Sequence, residues 1–302
     1  MISCNIPRIF GHRCRGSMQN RNLNSMHIPI LFRYILSVYN IFIVFLLLSA
    51  QPLSGQTTSF TTRQSELPCL DKKLTVFVHV ISDSLGQTGV QEDSIRYAWH
   101  VADSIFSPVC ISFGPCLIDT IPLYEFDTLV GLPDLERLQD LKNRFSQPEV
   151  INLYVISTSG LPGGHPRYGY TLPWQHLLDG RADSSVLVVD KHVFRDYPLA
   201  LCHFLGHYFG LLDTDANGDE LVNGSNCQWA GDRICDTPAD FLDQAFKRPC
   251  TYQSEAVDAN GEFYTPDVGN LMSQYWDCHC GFSHEQYRKM VEYYRSSLDK
   301  KW

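Results

Sequence analysis

The feature that most constrains this chain is a pair of histidines inside an apolar run, in the stretch LCHFLGHYFGLLDTDANGD at 201–219. His203 and His207 are four residues apart, about one helical turn, so a helix places both imidazoles on one face. Imidazole nitrogens are zinc ligands. The residues around the pair are apolar on nearly every side, which predicts a buried helix that opens at Pro198.

A third candidate ligand follows this pair. Gly210, three residues after His207, allows the chain to leave the helix axis, and Asp213 lies three residues further on. The pattern is HFxxHxxGxxD, in which the carboxylate can bind zinc through oxygen. In the zinc-binding motif HExxH the Glu serves as general base, and here Phe204 occupies its position. The stretch predicts a metal site that is poorly equipped for hydrolysis.

The segment 1–55 differs from the rest of the chain. It contains five basic residues and no acidic one, and 34–50 is an uncharged apolar run. A basic region, an apolar region and small residues near Gly55 are typical of a cleaved export signal. The alternative is an uncleaved membrane anchor, because the run is close to the roughly 17 to 25 residues that span a bilayer. Met26 is an alternative translation start.

The net charge of the chain indicates which classes of partner are expected. The chain has 24 Lys and Arg against 33 Asp and Glu, a net charge of −9, without a block of like charge in its body. Nucleic-acid binding is therefore disfavoured. A membrane is expected as a partner only if the N-terminal segment stays uncleaved.

Cysteine usage agrees with export. Two of the 11 cysteines precede position 55, and the nine that remain are a density typical of an oxidising compartment. Nine is odd, and Cys202 in the apolar helix is the candidate for an inert buried thiol. Cys110 and Cys116 can bond to each other, and each can equally bond to Cys69, because spacing does not fix connectivity.

Hydrophobic periodicity predicts the domain organisation. A Thr-, Ser- and Gln-rich linker, 56–68, precedes an N-terminal lobe, 69–212, which ends with the histidine helix, and a C-terminal lobe, 213–302. Strands alternate with helices in the N-terminal lobe, which indicates an α/β fold. The predicted strands are 74–81, 150–157 and 186–189, and the predicted helices are 93–106 and 135–145.

Two stretches of this lobe are interrupted by Gly and Pro. The stretch 110–120, CISFGPCLIDT, has a Gly-Pro break between two apolar runs and predicts a bent strand or a hairpin. The stretch 160–174, GLPGGHPRYGYTLPW, predicts a loop over the cleft. His165 and His176 lie in or near it and are interpreted as solvated side chains rather than ligands.

The C-terminal lobe loses periodicity after Asp213 until an amphipathic stretch, 284–298, predicts a closing helix. An irregular lobe with little regular secondary structure needs covalent cross-links, and disulfides are the usual ones. The cysteines available there are Cys227, Cys235, Cys250, Cys278 and Cys280.

The segment DTDANGDE also has the spacing of the first half of a calcium-binding EF-hand loop, through Asp213, Asp215, Asn217 and Asp219. Position twelve of such a loop is Gly224 here instead of the bidentate Glu, which argues against a true EF-hand. Calcium in this loop is one interpretation, and a solvated acidic turn is the other.

Four stretches together resemble the pappalysin or cytophagalysin branch of the metzincin metallopeptidases. The resemblance covers most of 74–298. The matching stretches are CHFLGHYFGLLDT at 202–214, GDRICDTPAD at 231–240, YTPDVGNLMSQY at 264–275 and CGFSHEQYRKM at 280–290.

The resemblance implies a metzincin-like zincin of α/β (α+β) class. It implies a twisted, mostly parallel sheet with backing and active-site helices above a cleft, and an irregular disulfide-stapled C-terminal lobe below. Zinc would be bound by His203, His207 and Asp213, and Met272 would form the Met-turn beneath the metal. Met272 can also be interpreted as an ordinary core methionine.

Three positions depart from the family pattern. Phe204 removes the general base, whose contribution to rate is typically about 10² to 10⁴. Asp213 replaces the third histidine, which is tolerable because carboxylates bind zinc well. The tyrosine expected two residues after the Met is Gln274, and Tyr275 comes one residue late.

Three functions fit these observations. The first is a secreted metzincin-like pseudoenzyme that can still bind zinc and a peptide or protein ligand. The second is an active zinc metalloendopeptidase with an atypical site. The third is a metal-free structural or adhesive exoprotein.

Overall fold

The computed structural model of this chain describes residues 67–129, 135–157, 169–172, 186–216, 218–241, 250, 252 and 254–296. All of them belong to one compact unit. The predicted export signal, 56–66 of the linker, His165 and His176 lie outside the described residues. The predicted lobe boundary at 212/213 stays a prediction.

A five-stranded sheet forms the centre of the fold, in the order β2-β1-β3-β5-β4. Strands β1, β2, β3 and β5 run parallel, and β4 pairs antiparallel with β5 at one edge. The strands are β1 (Lys72–Ile81), β2 (Ile111–Ile121), β3 (Ile151–Ile156), β4 (Gly169–Leu172) and β5 (Val186–Asp190). The predicted α/β class is therefore confirmed, with a sheet that is mostly parallel.

Five α-helices accompany the sheet in the part of the chain that the structure describes. They are α1 (Glu92–Phe106), α2 (Leu135–Phe145), α3 (Lys191–Asp196), α4 (Pro198–Tyr208) and α5 (His284–Ser296). Each helix predicted from periodicity is present within a few residues of its expected bounds.

Apolar side chains cover both faces of the sheet, which explains the near-continuous apolar character of its strands. On one face, alternate residues of β1 and β3, such as Val78 and Leu153, pack in one core with side chains of α1, α4 and α5. On the other face, Tyr154 and Ile156 pack with Leu138 of α2. The histidine helix α4 thus belongs to the larger of two cores.

The Gly-Pro break in β2 bends the strand and does not reverse it. The strand pairs in parallel with β1 along its whole length, and the register shifts between Val76 and Phe77, where Cys116 is the additional residue of β2. The hairpin alternative is therefore wrong. The Cys110–Cys116 bond is also wrong, because Cys110 pairs with Cys69, with 5.0 Å between their Cα atoms.

The stretch 160–174 is not a loop throughout. Its residues 169–172, GYTL, form β4 and pair with β5. Most of the Gly and Pro residues lie before them, in the first half of the stretch, so they do not interrupt this strand. Periodicity alone missed this strand because it is only four residues long.

The region from Leu211 to Ser283 is irregular in its described parts. It contains a 3₁₀ turn at Trp276–Cys278 and isolated bridges between Val257 and Phe263 and between Asn270 and Gly281. Disulfides staple it as predicted, between Cys227 and Cys235 and between Cys250 and Cys278.

Cys202 is a free thiol and is buried, as predicted. Burial raises its pKa well above the usual range, which keeps the thiol protonated and inert. Among the described residues, none of the helices has the length and apolar character needed to cross a bilayer.

Candidate metal centre

Helix α4 ends in a tight turn that redirects the chain. The N–H of Leu211 donates to Gly206 O at 3.0 Å and the N–H of Gly210 donates to His207 O at 2.9 Å, the pattern of a Schellman C-cap. Gly210 has φ +85°, and a Cβ there would lie 2.8 Å from the ring of Tyr293. Glycine is therefore required, and the sequence interpretation of this position as the exit from the helix is confirmed.

This turn brings Asp213 back beside the two histidines of α4. The Oδ1 atom of Asp213 lies 3.4 Å from His203 Nε2 and 3.3 Å from His207 Nε2, and the two Nε2 atoms are 3.0 Å apart. These three residues, the metal triad, are the group among the described residues whose His, Cys, Asp or Glu ligand atoms converge closely enough to hold an ion.

The donor set fits a zinc ion. In a tetrahedral zinc site with metal–ligand distances of about 2.0–2.1 Å, neighbouring ligand atoms are about 3.3 Å apart. The three distances within the metal triad, 3.0 to 3.4 Å, match this spacing. Two imidazoles and one carboxylate are also ligands that zinc accepts.

Backbone carbonyls fix the tautomers of both histidines. His203 Nδ1 donates to Leu271 O at 2.7 Å, and His207 Nδ1 donates to Leu211 O at 2.9 Å. Because a carbonyl oxygen can only accept, each Nδ1 carries the hydrogen and each Nε2 presents a lone pair to its neighbours. Such outer hydrogen bonds are typical of metal-ligating histidines. Without a cation, two lone pairs and a carboxylate would face one another at these distances.

His203 is held in the neutral form that metal binding needs. Burial, followed by the charge of His207, lowers the pKa of His203 to about 3. The side chain of His203 is almost fully enclosed, and that of His207 is only slightly more exposed.

Met272 lies against helix α4 as a fully buried side chain. A Cβ on Gly206, one residue before His207, would lie 2.5 Å from Met272 Sδ, so the helix and the methionine are in direct contact. The carbonyl of Met272 accepts from the N–H of Thr214, next to Asp213, at 3.0 Å. The turn that carries Met272 therefore contacts helix α4 through the Met272 side chain, and the segment of Asp213 through the Met272 carbonyl.

The neighbouring Asn270 is what shapes this turn. Its Oδ1 accepts from the N–H of Met272 at 2.8 Å, and its amide exchanges two hydrogen bonds with the side chain of Gln286 on α5, at 3.0 and 3.1 Å. Both amides are buried. The closing helix thereby fixes the position of Met272.

Phe204 places an aromatic ring at the position that Glu holds in the HExxH motif. The side chain is 3% exposed, and its ring centroid lies 5.3 Å from that of His203 and 5.8 Å from that of Trp276. The position holds no atom that can accept a proton.

Tyr275 is directed to another partner. Its hydroxyl donates to Asp240 Oδ1 at 3.2 Å, and Asp240 Oδ2 accepts from Thr214 Oγ1 at 2.6 Å. Gln274 hydrogen-bonds to the carboxyl of Asp215. Gln274 thus contacts the acidic segment after the metal triad directly, and Tyr275 is linked to it through Asp240 and Thr214.

The predicted calcium loop is only partly described, because Asn217 lies outside the described residues. Asp215 is half-buried and Asp219 is exposed, and neither joins the metal triad as a converging ligand group. Burial, followed by the charges of Asp213 and Asp240, raises the pKa of Asp215 to about 7. A calcium site in this loop stays a prediction.

Sequence reasoning missed several groups around the metal triad. The carbonyls of Leu271 and Leu211 leave no sequence signal, because any residue supplies one. Trp276 packs against His203 at a tilt and His279 stacks on it, with ring centroids 4.4 and 5.8 Å away. The signal for His279 was its place between two cysteines in a segment close to the Met.

Comparisons with known proteins do not identify a family. No protein-family model matches the chain, and no curated protein matches it significantly. A solved structure described as "Structure of a chaperone-substrate complex" matches at 13% identity over 73% of this chain and 35% of that chain, with a TM-score of 0.33. This chain spans about a third of that chain's length, and a likeness at this TM-score carries no argument.

Proposed function

We propose that this chain is a secreted metzincin-like metallopeptidase homologue that retains a metal site, lacks the catalytic base and binds a peptide or protein ligand without cutting it. The mostly parallel sheet, the histidine helix beneath one of its faces and the Met272 turn against that helix support the family assignment. Disulfides such as Cys69–Cys110 support export, because they persist in oxidising compartments.

The metal triad would hold zinc, which supplies a Lewis acid that lowers the pKa of a bound water when present. The chain's own residues orient the ligands: Leu271 O and Leu211 O fix the two imidazoles, and the C-cap at Gly210 returns Asp213 to them. These contacts support a preformed ligand set rather than an accidental cluster.

The observation that carries the pseudoenzyme proposal is the ring of Phe204. A metallopeptidase needs a carboxylate at this position to take a proton from water, and phenylalanine cannot accept one. The ring packs against both His203 and Trp276, which leaves a buried apolar surface where a base would stand.

An active peptidase with an atypical base is the second candidate, and Asp215 is the observation that favours it. A carboxyl with a pKa of about 7, two residues after a ligand, has the acid–base range of a catalytic group. Part of that shift comes from the charge of Asp213, which a bound cation would offset. The pseudoenzyme is therefore the better-supported function.

Hydrolysis of a denatured, fluorescently labelled casein separates these functions. We expect no turnover by the wild-type chain above that in the presence of a chelator. Phe204→Glu supplies a base, and it gives chelator-sensitive turnover only where the metal keeps a position for water. Phe204→Gln is the matched control, since Gln is nearly the same size and shape as Glu and supplies no base. Chelator-sensitive hydrolysis by the wild type would overturn the proposal, and its loss in Asp215→Asn would establish the second candidate.

Binding without cleavage is measured by retention of the same labelled casein on the immobilised chain. We expect retention with full recovery of intact substrate. Zinc content by elemental analysis distinguishes the metal-free exoprotein, which would contain none.

A further inference from the structure

His279 is a buried imidazole beside the metal triad, 66 residues beyond Asp213 in the sequence. It is 7% exposed, and its ring is nearly parallel to that of His203, with an interplanar angle of 8° and centroids 5.8 Å apart. Trp276 packs against both rings, at 5.2 Å from His279 and 4.4 Å from His203.

One ring nitrogen of His279 is hydrogen-bonded, and the other has no hydrogen-bond partner among the described residues. Nε2 donates to Ser273 O at 3.0 Å, and because a carbonyl only accepts, Nε2 carries the hydrogen. Nδ1 therefore presents a lone pair, and within the described part of the chain this buried atom has no hydrogen-bond partner. A buried polar atom left without a partner costs roughly 1–3 kcal/mol, so a native fold keeps one only where something offsets it.

The arrangement of His279 repeats that of the two histidines on α4. In each, one ring nitrogen donates to a backbone carbonyl and the other is left as a lone pair, the form in which histidine binds a metal.

We propose that His279 is a fourth protein ligand, binding through Nδ1, and that the site is a closed three-histidine, one-aspartate centre. Structural zinc sites have four protein ligands, whereas catalytic sites keep one position for water. A closed centre is consistent with Phe204, because a site without a free position has no use for a general base. The inference rests on the metal-retaining function proposed above.

His279 is not yet within ligand distance of the metal triad, whose atoms converge without it. It follows the 3₁₀ turn Trp276–Cys278 and precedes Cys280, in a segment held by the Cys250–Cys278 disulfide. Binding would draw this segment towards α4, and the centre would then fasten the irregular region to the histidine helix.

The test is cobalt(II) spectroscopy on the full chain, because cobalt replaces zinc in such sites and absorbs strongly in visible light only when four-coordinate. We compare the wild type with His279→Ala and with a control on helix α1, His100→Ala. We expect strong visible absorbance at one cobalt per wild-type chain. The bands should shift or weaken in His279→Ala, where water at best replaces the imidazole, and should not change in the control. Zinc affinity should fall at least about tenfold in His279→Ala, as for lesser changes around metal sites.

His279→Gln provides a second variant if the alanine variant unfolds, because its amide can still donate to Ser273 O. Equal cobalt spectra in the wild type and both His279 variants would overturn the fourth ligand and leave the pseudoenzyme untouched. Failure of the wild type to bind cobalt or zinc would also overturn it. Casein hydrolysis by the wild type would overturn the proposed function, whereas the spectra would still decide the ligand set.

Discussion

The imidazole of His203 is hydrogen-bonded through Nδ1 to the carbonyl oxygen of Leu271, 2.7 Å away. The donor lies on helix α4, and the acceptor precedes Met272 in the turn that α5 holds in place through Asn270 and Gln286. One candidate ligand therefore joins the histidine helix to the C-terminal region, so metal binding and folding are expected to be coupled.

This coupling predicts that zinc stabilises the fold. A ligand that binds only the folded state stabilises it by about 4.1 kcal/mol at 1,000 times its Kd. We expect the midpoint of thermal unfolding to rise with zinc and to fall after chelation in the wild type. His203→Ala should be insensitive to both, and His100→Ala should respond like the wild type. A zinc response that persists in His203→Ala would contradict the ligand assignment.

Much of the fold was predictable, because strands and helices of this domain follow hydrophobic periodicity. The edge strand β4 was missed because four residues give too short a pattern. The metal triad was predictable from local spacing, since a helical turn and one glycine position His203, His207 and Asp213. His279 and the carbonyl partners were not, because long-range packing brings them to the site.

Gly206 is predicted to be required by the packing of α4 against Met272. Alanine is intrinsically favoured over glycine in a helix by about 1 kcal/mol, but a Cβ at this position would lie 2.5 Å from Met272 Sδ and 3.1 Å from Phe282. We expect Gly206→Ala to lower the free energy of unfolding by about 1–3 kcal/mol, measured in urea, as overpacked cores do. Gly281→Ala is the control, because a Cβ there meets nothing within 4 Å.

A second variant identifies the clash. Met272→Ala removes the atom that the new methyl group would meet, so the cost of Gly206→Ala should be smaller in that background. If the two costs are simply additive, contact with Met272 is not the cause.

Glu220 is predicted to make the fold less stable as the pH rises. Burial, followed by the charges of Asp232 and Asp240, raises its pKa from 4.5 to about 7. Between these values the folded chain binds more protons than the unfolded chain, so the free energy of unfolding decreases with increasing pH. Glu220→Gln should weaken that decrease between pH 4.5 and 7, measured by urea unfolding at several pH values.

The matched control for this prediction is Glu292→Gln, an exposed acid on helix α5. It should follow the pH dependence of the wild type. A Glu220→Gln variant with the same pH dependence would show that the carboxyl of Glu220 ionises alike in the folded and unfolded chains.

Lys191 and Asp127 form a buried ion pair. We predict that removing one partner lowers the free energy of unfolding strongly, whereas removing both charges together costs less than the two single changes added. Lys191 Nζ lies 2.7 Å from Asp127 Oδ1 and 3.0 Å from Ser157 Oγ, and both charged side chains are less than a tenth exposed. Lys191→Met leaves the Asp127 charge buried without its cation, which typically costs about 3–5 kcal/mol. In Asp127→Asn/Lys191→Met both charges are gone, so the double variant should lose less free energy of unfolding than the two single variants together.

Urea unfolding of the wild type, the two single variants and the double variant completes this double-mutant cycle. Arg195→Met is the control, because its exposed pair with Asp196 should contribute little to stability. Additive losses would mean that solvent screens the pair, and that the end of β3 is held to α3 by the hydroxyl of Ser157 rather than by charge.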